Sequence, residues 1–83
     1  MTYIFLSLKI RHGEYEFYSP SVHEFEDKRD VNAFSDAYAE HYYNGPSEYE
    51  DGGYYFNGGE VHVSVYQAQY IDEDDYEVLN KFI

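Results

Sequence analysis

"SEYEDGGYYFNGGEVHVSVYQ", residues 47–67, is the stretch on which the fold turns. Its second half alternates. Val61, Val63 and Val65 fall on one side and Glu60, His62, Ser64 and Tyr66 on the other, the period-two pattern of a strand with one buried face, here over 60–71. Residues 47–59 have no such period and read as a long glycine-rich connection. Within it, Tyr54, Tyr55 and Phe56 stand in a row between two glycine pairs, where a plain loop carries small polar residues. They either fill the core or face a partner, and the residues alone leave both open.

Upstream, "TYIFLSLKIRHGEYEFYSP" (2–20) reads as a hairpin. Ile4, Leu6, Leu8 and Ile10 alternate with Phe5, Ser7, Lys9 and Arg11, and His12-Gly13 supplies the turn. Tyr15 and Phe17 alternate with Glu14, Glu16 and Tyr18 on the return. Pro20 marks a bulge, an edge or the strand end, because it has no N–H for a ladder; residues 22–25 are a possible continuation beyond it. "EDKRDVNAFSDAYAEHYYNG" (26–45) reads as a helix, with Asp27 as cap, Asp30 in the first turn, and Val31, Phe34, Tyr38 and Tyr42 at helical spacing. Asn44-Gly45-Pro46 stops it. "DEDDYEVLNKFI" (72–83) reads as a terminal helix capped by Asp72, with Asp75 in a capping-box-like first turn and Tyr76, Leu79 and Phe82 as its apolar stripe. The expectation is a single α+β domain over 1–83: a small antiparallel sheet of about three strands in β-β-α-β-α order, with the helices packed on one face.

The charge is uneven. Seventeen acids stand against five bases, a formal net charge of -12. The bases are Lys9, Arg11, Lys28, Arg29 and Lys81, so from Asp30 to Asn80 there is no Lys or Arg among twelve acids. Disordered acidic segments are poor in aromatics, whereas 22% of this chain is aromatic, with 12 Tyr and no Trp. The combination argues for a folded domain with a strongly negative field. A like-charged surface repels itself, and solubility needs less charge than this, so the charge points to a basic partner. The chain has no cysteine, and its first residues, interrupted by Lys9 and Arg11, fit neither a signal peptide nor a membrane span. A cytoplasmic location in a host cell, with no membrane partner, is the expectation.

The chemistry classes are thin. His12, His23, His41 and His62 are scattered, with no HExxH. Acid pairs such as Glu14/Glu16, Glu24/Glu26 and Glu48/Glu50 share strand faces about 7 Å apart, a separation glycosidases use, but seventeen acids produce such pairs by chance. An EF-hand ending at Glu60 would need Asp or Asn where Tyr49 and Gly53 stand. Direct nucleic-acid binding is disfavoured for want of Lys and Arg. The expectation is a binding protein, not an enzyme, with no metal and no cofactor.

The surface remains. Carboxylates along a strand or a helix start can imitate a row of phosphates, and a groove built for phosphate also accepts carboxylates. "YYNGPSEYEDGGYYFNGG" (42–59) is nearly all residue types of antibody paratopes, plus acid. In length, in its acid run and in patches such as Glu48-Tyr49-Glu50-Asp51 and Asp72-Glu73-Asp74-Asp75, the chain resembles the small acidic, cysteine-free anti-defence proteins of phages and mobile elements. These include anti-CRISPR and anti-restriction proteins, several of them DNA mimics. The resemblance implies an inhibitor, most simply an anti-CRISPR, that occupies the basic DNA-binding groove of a CRISPR effector or restriction complex. The expected partner-binding residues are Glu48, Glu50, Asp51, Asp72, Asp74 and Asp75, with Tyr49, Tyr54 and Tyr55 as anchors. An acidic phage or plasmid adaptor that does not compete with DNA is the other reading. Monomer and homodimer both remain open, the latter through an exposed edge of the 60–71 strand.

Overall fold

The structure, a computed structural model, describes residues 1–43 and 45–83; Asn44, part of the expected helix stop, lies outside the described residues. Five strands and two α-helices follow one another as β1 (Thr2–His12), β2 (Tyr15–Phe25), α1 (Val31–Glu40), β3 (Glu48–Glu50), β4 (Gly53–Phe56), β5 (Val61–Ile71) and α2 (Glu73–Asn80). The strands form one antiparallel sheet in the order β2-β1-β5-β4-β3. The class is α+β, but the expected three strands are five, and the order is β-β-α-β-β-β-α. The two extra strands lie in the stretch read as a connection.

Two turns explain the hairpins. His12 pairs with Tyr15 across Gly13-Glu14, and Gly13 takes φ 63. Glu50 pairs with Gly53 across Asp51-Gly52, with φ 56 and 76. Positive φ at both central residues is the type I′ turn, whose twist matches that of the flanking strands and which favours Asp-Gly.

The register sorts the sheet into two faces. One carries Ile4, Leu6, Leu8 and Ile10 of β1, Val61 and Val63 of β5, and Phe56 of β4, each at most 2% exposed. Burying a side chain of this size is worth about 1.5–3 kcal/mol. The β1–β5 register shifts between Ser7 and Leu8, which leaves Tyr66 as the extra residue of a bulge and returns Ala68 and Tyr70 to the core face. β5 is a central strand, between β1 and β4, not the exposed edge expected of it; the edges are β2 and β3. β2 runs through Pro20 to Phe25, and its outer side has no ladder for Pro20 to interrupt.

α1 covers the core face. Ser35 and Ala39 are buried under it, and Phe34 and Tyr38 pack on His23 at ring separations of 4.8 and 5.0 Å. Burial holds the His23 imidazole below its ordinary pKa. The cap of α1 is Asp30, whose Oδ1 accepts from the N–H groups of Asn32 and Ala33 at 2.9 and 3.0 Å. Asp27, the expected cap, is tied elsewhere: the Thr2 hydroxyl donates to its carbonyl at 2.8 Å, and the Tyr70 hydroxyl donates to the Arg29 carbonyl at 2.7 Å.

α2 lies on the opposite face. Tyr76 packs on Tyr3 at 5.1 Å, and Tyr3 points away from the core side of β1. The helices therefore sit on opposite faces of the sheet, not together on one. Asp72 caps α2, accepting from the Asp75 N–H at 2.8 Å, while Phe82 falls beyond the helix and is 81% exposed. Among the described residues no helix is long and apolar enough to cross a membrane.

Candidate binding surface

The β3–β4 hairpin is built by alternation. On β3, Glu48 and Glu50 point to the face away from the core and Tyr49 to the core side. On β4, Tyr54 and Phe56 are buried, and Tyr55 joins the glutamates. The three consecutive rings thus divide: two fill the core and one faces outward.

Tyr55 is held from three directions. Its hydroxyl donates to Asp51 Oδ2 at 2.8 Å, the His62 ring lies 4.4 Å away, and the Arg11 guanidinium stands 5.8 Å from its centroid. The hydrogen bond to Asp51 raises the phenol's pKa, and burial adds to the effect. Glu48, Glu50 and Tyr55, with Pro46, Asn57, Gly58 and Gly59, line an open groove of about 390 Å³. What the groove offers is charge, because Glu48, Glu50 and Asp51 make no ion pair among the described residues.

 The ion pairs among those residues are Lys9–Glu16 at 3.3 Å and Arg29–Asp27 at 3.1 Å.

On the core side, Tyr49 is 66% exposed and meets Tyr54 edge-on, with ring centroids 5.1 Å apart. The Tyr54 hydroxyl donates to Asp36 Oδ1 of α1 at 2.8 Å. Burial, helped by that carboxylate, pushes the Tyr54 phenol up to about 12. Gly53 makes the close approach possible. A Cβ there would lie 2.5 Å from the Val63 carbonyl oxygen and 2.9 Å from His62 Cε1.

The expected site residues form two groups. Glu48, Tyr49, Glu50, Asp51, Tyr54 and Tyr55 come together on the hairpin, Tyr54 mostly buried and the acids exposed. Asp72, Asp74 and Asp75 do not join them. β4 pairs with the Val61 end of β5 and α2 starts beyond Ile71. From Ser64 to Ile71 the strand rise alone separates the two by about 23 Å. The site reading missed Asp36, which reaches the hairpin through Tyr54, and Arg11 and His62, which steady Tyr55. The sequence signal for the hairpin itself was Asp51-Gly52. Among the described residues, no three His, Asp or Glu side chains gather as a metal site. Compared with family models, with curated proteins and with solved structures, the chain matches none of them.

Proposed function

We propose that the protein works by binding, as an acidic stand-in for a nucleic-acid backbone, and that its target is the basic DNA-binding groove of a host defence complex, a CRISPR effector or a restriction enzyme. The β3–β4 hairpin is the contact surface. The observation that carries this reading is that Glu48 and Glu50 project side by side from an edge strand, exposed and without a cation partner among the described residues. Two carboxylates about 7 Å apart at their Cα atoms, two residues along the strand, form a short row of negative charge of the kind a phosphate backbone presents. Lys and Arg that neutralise phosphate pair equally with carboxylate, and Arg does so in bidentate fashion. The negative field of the whole chain, -12 in formal charge, speeds the encounter with a basic groove.

The adaptor reading draws on a different observation. The acids at the start of α2 lie at the other end of β5 from the hairpin, so a partner gripping one cluster need not cover the other. DNA competition separates the two readings. Tagged protein is used to capture partners from a bacterial lysate with and without excess duplex DNA. A captured nuclease or guide-RNA complex that DNA displaces is the expected result. A partner indifferent to DNA replaces the mimic with the adaptor.

A further inference from the structure

A second opening lies on the core side of the hairpin, between it and α1. This cleft of about 240 Å³ has Val63 and Val65 as its floor, Tyr49 and Tyr54 on one wall, and Asp36 on the other. We propose that it seats one arginine side chain of the partner. The proposal deepens the reading above, since it takes the partner to be basic and names the group that is bound.

Size, charge and ring geometry each bear on the occupant. The cleft is smaller than the roughly 300 Å³ at which sites for drug-sized ligands begin, so it suits a single long side chain. Val65 is 37% exposed, an apolar floor for a methylene stem. Asp36 is exposed at the rim and is oriented by the Tyr54 hydroxyl on Oδ1, which leaves Oδ2 free for a donor. Glu40, one turn further along α1, adds negative charge beside Tyr54. Tyr49 stands over the same opening with most of its ring in solvent. A planar guanidinium stacks on an aromatic ring while its N–H fork meets a carboxylate, and an ammonium does this less well. Arginine is therefore preferred to lysine.

The test is an NMR titration of isotope-labelled protein with acetyl-Gly-Arg-Gly-amide and, separately, its lysine counterpart, at physiological salt. The expected result is saturable shifts at Asp36, Tyr49, Gly53 and Tyr54, with the lysine peptide weaker by about threefold. Asp36→Asn keeps an acceptor for Tyr54, and Tyr49→Ala alters an exposed ring. Each should weaken the arginine peptide by about three- to fivefold, the scale of one exposed cation–π or charge-assisted contact, with the fold retained by circular dichroism and only a small fall in melting temperature for Tyr49→Ala, which loses its edge-on contact with Tyr54. Shifts confined to the Glu48/Glu50 groove, or equal binding of the two peptides, overturn the proposal. Arginine bound in the cleft with no DNA-displaced capture from lysate leaves the cleft assignment standing and removes the inhibitor reading. DNA-displaced capture that Tyr49→Ala leaves intact does the reverse.

Discussion

The chain carries two acidic runs of similar composition, and the fold uses them differently. At the start of α2, Asp72 caps the helix, and Glu73, Asp74 and Asp75 lie in its first turn, where the positive end of the helix dipole favours them. Those charges have a local structural role. On the hairpin, Asp51 holds the Tyr55 hydroxyl, but Glu48 and Glu50 cap nothing and pair with no cation among the described residues. Acids that stabilise their own element need no partner to explain them. Acids that only repel one another do, and this distinction is why the contact surface is proposed on the hairpin.

The comparison can be broken at several points. Gly53→Ala should have the largest effect on stability, about 1–3 kcal/mol from forced overpacking against the Val63 carbonyl, seen as a lower urea midpoint. If the hairpin bore no rigid relation to the sheet, that substitution would be silent. Asp72→Ala removes the α2 cap and should cost about 1 kcal/mol, whereas Glu48→Gln with Glu50→Gln should stay within about 0.5 kcal/mol of the parent. Equal costs in the two denaturation curves would erase the distinction between the runs.

Tyr54→Phe should cost about 1 kcal/mol at neutral pH for the lost hydrogen bond to Asp36. It also changes the alkaline limb. The Tyr54 pKa is raised in the folded state to about 12 from an ordinary 10.0, so its contribution is complete below pH 10 and is lost as pH rises towards 12. Parent and variant should therefore converge over that range. The smallest effect is at His23, whose lowered pKa means that its neutral form favours the fold. That contribution is complete above about pH 6.5 and falls away as pH drops below it. The stability advantage of the parent over His23→Gln should narrow between pH 7.5 and 5.5.

Much of the fold was legible because the core face alternates without interruption. Ile4, Leu6, Leu8 and Ile10, then Val61, Val63 and Val65, mark β1 and β5, and Asp72 marks the start of α2. The hairpin was not legible by periodicity, since strands of three and four residues are too short to display one. Its Asp51-Gly52 turn was visible in the sequence and carried the needed information. The side of the sheet that α2 takes was hidden, because Tyr3, which receives Tyr76, looks like any outward residue of β1 until a helix covers it. Of the site, the acids and Tyr49 were legible as surface. The partition of Tyr54 from Tyr55 depended on β4 being a strand.

The most direct measurement is capture of the proposed DNA-displaceable partner by three folded proteins: the parent, Glu48→Lys with Glu50→Lys, and Asp74→Asn with Asp75→Asn. The account predicts that reversing the hairpin charges abolishes capture while neutralising the α2 acids leaves most of it. Undiminished capture by the hairpin variant, or loss confined to the α2 variant, would contradict it.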